Sequence, residues 1–118
     1  MSKAKIGEMT METGNSILGG QHPPVVRRGT VLEDQGELPA GCIIGRDGAG
    51  KIIPAAAAGD AVGVLIETLD TTTQTSGNYV PHGSVVEQNL KTTDGAGGFM
   101  AADLAWLAAL EDIGIYPE

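Results

Sequence analysis

Residues 29–67, GTVLEDQGELPAGCIIGRDGAGKIIPAAAAGDAVGVLIE, constrain the fold most, because short apolar runs are cut by turn formers before a helix can establish itself. Thr30-Val31-Leu32 is the first run, and Leu38-Pro39-Ala40-Gly41 turns the chain into a second, Cys42-Ile43-Ile44. Arg46-Asp47-Gly48-Ala49-Gly50 reads as a hairpin turn, since Asp-Gly accepts the positive φ that tight β-turns require. Lys51-Ile52-Ile53 returns and Pro54 ends the run, having no N–H to give a ladder. After the small-residue bridge Ala55 to Asp60 comes Ala61-Val62-Gly63-Val64-Leu65-Ile66, the most strand-like run of all. The pattern predicts a β-meander.

The flanks extend it. Val25 to Leu32 reads as the first strand of the body and Glu33 to Glu37 as an acidic loop. The Thr-rich stretch 68–78 suits either a strand with one wet face or a surface loop. Tyr79-Val80 is strand-like, Pro81-His82-Gly83 reads as a break, Ser84 to Glu87 as a strand, and Asn89 to Gly98 as loop. Ala101 to Asp112 is the one good helix, rich in Ala and Leu, with Gly114 as its stop and Pro117 beyond. Leu104, Leu107 and Leu110 are expected on one arc, continued by Trp106 and Ile113, with Ala101, Ala105, Ala108 and Ala109 opposite. A helix apolar this far around should be covered on two sides, by its own sheet and, across Ala101, Ala105, Trp106, Ala108 and Ala109, by another subunit. The expected class is mainly β (α+β): a meander or small barrel-like domain over 25–118 with one C-terminal helix.

Residues 1–24 show no sustained period, and Gly14, Gly19, Gly20, Pro23 and Pro24 break any element. They read as an extended, flexible N-terminal arm, able to order on a partner. The size fits one domain. Leu, Ile, Val and Phe make up 27 of 118 residues, a thin core that association would help stabilise. Residues 1–28 carry a net +2, whereas residues 29–118 set 13 acids against Arg46, Lys51 and Lys91, a net −10. Such a body lacks the basic footprint that nucleic acid requires. No apolar run approaches the ~20 residues of a membrane-spanning helix. The N-terminus has no unbroken apolar stretch of the secretory kind, so synthesis in a cytoplasm is expected.

Chemistry is sparse. Cys42 is the sole cysteine, and its apolar neighbours predict a buried small hydrophobe rather than a nucleophile. Gly45 to Lys51 matches a P-loop as far as the Lys, but Ile52 stands where a Ser or Thr would ligate Mg²⁺, and a strand rather than a helix follows. His22 and His82 have no partners at metal spacing. Ser84, His82 and Asp60 spell a triad only on paper, without a nucleophile elbow. No enzyme activity, cofactor or metal is expected.

The order GTVL, LPAGCIIGRDGAGKIIP, GDAVGVLIETLDTT and VPHGSVVE, followed by an Ala/Leu helix ending LEDIGIY, resembles the head decoration proteins of lambda-type bacteriophages, from about Val25 to Tyr116. Each phrase is a generic β-turn sequence; the order and spacing of the five carry the likeness. The resemblance implies a homotrimer on the outer surface of the virion's expanded head, clamping the major capsid protein against the pressure of packaged DNA. It also implies an N-terminal segment that orders on the shell, which singles out Gln21, His22, Pro23, Pro24, Val25 and Val26 as capsid contacts. Two other classes remain open: a small trimeric metal-dependent nucleotide hydrolase, opposed by the lack of clustered Asp beside a basic phosphate binder, and a non-viral ligand-binding β module, to which only four aromatics lend little support.

Overall fold

The computed structural model describes residues 17–118 apart from Gln21 and Ala96. Ten strands and one helix follow in order: β1 (Val25–Thr30), β2 (Glu37–Leu38), β3 (Ile43–Arg46), β4 (Ile52–Pro54), β5 (Gly63–Leu65), β6 (Leu69–Asp70), β7 (Ser76–Val85), β8 (Lys91–Thr93), β9 (Phe99–Ala101), α1 (Leu104–Asp112) and β10 (Ile115–Pro117). The main sheet runs β1-β7-β5-β3-β4, all antiparallel, with β10 joined parallel to β7. The ends of that path meet: Val31 bridges Ile52, and the Leu32 N–H donates to the Ile52 carbonyl at 3.1 Å. That contact joins the two edge strands at one end only and gives the small barrel-like body the sequence predicts, while β1 keeps an exposed outer edge.

The apolar runs are continuous rather than alternating because the sheet is buried on both faces. Successive strand residues point to opposite sides. Ile44, Leu65 and Tyr79 point into one cluster with Val31, Leu38, Cys42, Ile52 and Leu69. Their neighbours Ile43, Val64 and Val80 point into a second, with Ile17, Val85, Leu90, Leu110 and Ile115. The second is covered by α1 and by the chain around Ile17. A core that looks thin by composition is thus divided into two well-covered halves.

Several expectations need correction. Pro81-His82-Gly83 does not break the chain: it lies inside β7, a single ten-residue strand. Pairing with β5 ends at Val80, β10 takes over at Gly83, and a register shift between Val25 and Arg27 sets both Val80 and Pro81 against Val26. A bulge is where a strand tolerates a residue without an N–H. Asn89 to Gly98 is not simply loop, since β8 and β9 pair there from Lys91↔Ala101 to Thr93↔Phe99. Ala101 consequently ends β9, and the helix starts at Leu104, where the Asp103 carboxylate caps it by accepting from the N–H groups of Ala105 (3.1 Å) and Trp106 (3.3 Å). Gly114, at φ 91°, reverses the chain into β10.

The P-loop-like segment is the β3–β4 hairpin. Asp47 Oδ1 accepts from the N–H groups of Ala49 and Lys51, both at 2.9 Å, so two turn amides are occupied by the chain's own carboxylate. Arg46 reaches back across it, donating through Nη2 to the Tyr79 hydroxyl (2.6 Å) and through Nη1 to the Gly50 carbonyl (3.2 Å).

Candidate functional site

The expected capsid contacts lie where the N-terminal chain meets the end of β7. Ile17 is buried in the second cluster, and its carbonyl accepts from the Val86 N–H at 2.8 Å. Gly19 donates to the Ser84 carbonyl (2.9 Å), and the Ser84 N–H donates to the His22 carbonyl (2.8 Å). The His22 N–H in turn donates to Ser84 Oγ at 2.8 Å. Pro23 and Pro24 offer no N–H, so ladder pairing lapses until β1 begins. They lie close against Gly83, whose φ of 120° suits glycine and where any Cβ would collide with the Pro24 backbone.

Of the arm expected over 1–24, residues 1–16 and Gln21 lie outside the described residues. The rest follows its own β7 as an added edge. His22 and Pro23 are exposed, Pro24 is half-buried, and Val25 and Val26 are each 45% exposed. The Tyr116 ring in β10 stacks on His22 at 4.5 Å and meets His82 edge-on at 6.4 Å. His22, Val25, His82 and Tyr116 therefore form one contiguous rim contributed by the N-terminal segment, β1, β7 and β10. The sequence singles out His22 and Val25 for this rim but not His82 or Tyr116; the parallel pairing of β10 with β7 joins them, and no local pattern announces it.

The second expected surface divides. Ala105 and Ala108 are exposed, Ala109 is half-buried, Ala101 is exposed at the end of β9, and Trp106 packs partly buried against the second cluster. Leu104, expected beside Leu110, is 82% exposed, whereas Leu110 is fully buried. At about 100° per residue, two steps of three residues carry the direction back by about 120°, so the two leucines occupy different sides. Leu104, Ala105 and Ala108 share the exposed side of α1, and Met100 is a further exposed apolar residue just before it.

Little else offers chemistry. Ser84 is buried, with its hydroxyl engaged by His22. Burial pushes the Cys42 thiol up to about 12. The Thr72 hydroxyl and N–H donate to the Asp70 carboxylate (2.6 and 3.0 Å), holding its pKa below the ordinary value. A cleft of about 260 Å³ lined by Ile17, Pro39, Ala40, Thr68, Asn89 and Lys91 brings together one cation and two neutral polar side chains. Among the described residues no three His, Cys, Asp or Glu side chains converge, and no helix is long and apolar enough to cross a membrane. The chain matches no protein-family model and no curated protein.

Proposed function

We propose that this protein decorates the head of a lambda-type bacteriophage, binding as a homotrimer to the outer surface of the expanded shell and clamping its major capsid subunits together. The order of turn phrases suggests the family, and the closed β body with one C-terminal helix suits it. The observation that carries the reading is the rim at His22–Val26: a segment anchored by Ile17, led along β7, and presenting two half-exposed valines beside a stacked aromatic group. The exposed side of α1, with Leu104, Ala105 and Ala108, is the surface proposed for the subunit contact.

A clamp of this kind works by linkage: a protein that binds the expanded shell more tightly than the compact one stabilises the expanded state. The test is mechanical. DNA-filled expanded heads lacking a decoration protein should rupture at a higher temperature once saturated with this protein. An unchanged rupture temperature at saturating occupancy would refute the clamp.

A further inference from the structure

We infer that the face formed by residues 22–30, β7 and β10 docks onto a carboxylate-bearing protein surface, which in the reading above belongs to the major capsid protein. Charge placement on the chain points to it. Residues 29–118 carry 13 acids against three Lys and Arg. Yet residues 22–30, Ser76–Val85 and Ile115–Pro117 contain no Asp or Glu at all, and their ionisable side chains other than tyrosines are His22, Arg27, Arg28 and His82. Strand pairing brings these residues together: Val25 lies opposite His82, Arg27 opposite Tyr79, and Arg28 opposite Asn78.

All four of these basic side chains are exposed, with Val25, Val26 and Tyr116 exposed among them. Because successive strand residues alternate, Arg27 and Arg28 flank the outer edge of β1 from opposite sides, so the face wraps around that edge. Acids mark the limits of the face: Glu67 accepts from the Asn78 N–H at 2.8 Å, and Glu118 accepts from the Gly20 N–H at 3.0 Å. A cationic, partly apolar area on a strongly acidic protein suits a partner of opposite sign, because the rest of the surface repels such a partner and leaves one orientation favoured. Two arginines on so short a face are few for a phosphate backbone, whereas they suit a small group of carboxylates flanked by apolar side chains.

The test compares two variants that each lower the net charge by two. Arg27→Ala/Arg28→Ala alters the face; Ala56→Glu/Ala57→Asp alters the exposed bridge between β4 and β5, where position 57 precedes a 3-10 turn and accepts an acid as its cap. Thermal melts establish that both fold. On expanded heads the arginine variant should bind at least tenfold more weakly at 50 mM salt, and the bridge variant less than threefold more weakly. Raising salt to 300 mM should narrow the gap.

A second arm needs no heads: the isotope-labelled full chain is titrated with a Glu-Leu repeat peptide and followed by amide chemical shifts. Shifts confined to 22–30, 76–85 and 115–117, absent in the arginine variant, support the surface even if no head binds, in which case the decoration reading fails alone. Equal head binding by the two variants, peptide shifts elsewhere, or tighter binding of duplex DNA than of the peptide would overturn the inference.

Discussion

Truncating Leu110 and Leu104 to alanine should give very different results, although the two residues look equivalent in the sequence. Leu110 is fully buried between α1 and the outer face of the sheet. Removing its isobutyl group forfeits transfer energy and leaves a cavity, together about 3 kcal/mol for a buried Leu→Ala change. With an unfolding entropy of about 2.1 cal/mol/K per residue, a chain of this length loses about 0.25 kcal/mol per degree at its midpoint, so Leu110→Ala should lower Tm by about 12 °C. Leu104, at 82% exposure, has little to lose within its own chain, and Leu104→Ala should move Tm by less than about 2 °C.

The assay is thermal unfolding followed by circular dichroism at two protein concentrations a hundredfold apart. Association contributes a concentration-dependent part that folding of the single chain does not. In the dilute sample the difference between the variants should be widest. At high concentration Leu104→Ala should lose part of the concentration-dependent gain in Tm, if the exposed side of α1 meets a second copy. Equal destabilisation by the two substitutions in the dilute sample, or less than 1 °C for Leu110→Ala, would refute the helix orientation described here.

Three further outcomes are expected. Val25→Ser/Val26→Ser should weaken head binding about 30-fold, since covering the exposed half of each valine contributes ~1 kcal/mol; wild-type affinity measured by co-sedimentation would remove these residues from the contact. Tyr79→Phe deletes the hydroxyl that accepts from Arg46 and should cost about 1 kcal/mol by urea unfolding; no change would show that the hairpin does not depend on that contact. Cys42 should resist thiol reagents at pH 8 in the folded protein and react on unfolding. Its thiol rises from an ordinary 9.0 to about 12 on folding, so its contribution to stability is complete below pH 9 and declines as pH rises from there through about 12. Cys42→Ala should therefore flatten the alkaline fall in stability, and an unchanged slope would contradict the assignment.

Turn chemistry made much of this fold legible. Asp47-Gly48, Pro54 and Gly114 stand where a change of direction is needed, and runs such as Cys42-Ile43-Ile44 and Val64-Leu65 read correctly as strands. What stayed hidden depends on partners distant in sequence. Pro81 reads locally as a break, and only the bulge opposite Val26 lets β7 pass through it. Lys91-Thr92-Thr93 has the composition of a loop and becomes a strand because Phe99 to Ala101 lies beside it. Leu104 fails for a geometric reason: a spacing of three drifts around a helix, whereas three and four together hold one side. The candidate site was half visible, since its N-terminal part is continuous in sequence while His82 and Tyr116 arrive from other strands.

The most direct test of the decoration reading is co-sedimentation with empty phage heads, expanded and unexpanded, using the full chain and a version lacking residues 1–16. The truncation stops there because Ile17 belongs to the core. Decoration predicts saturable binding to the expanded shell, at multiples of three copies per site and far below this level on the compact shell, with weaker binding after truncation. Absence of binding to either shell by a folded full-length chain would contradict it.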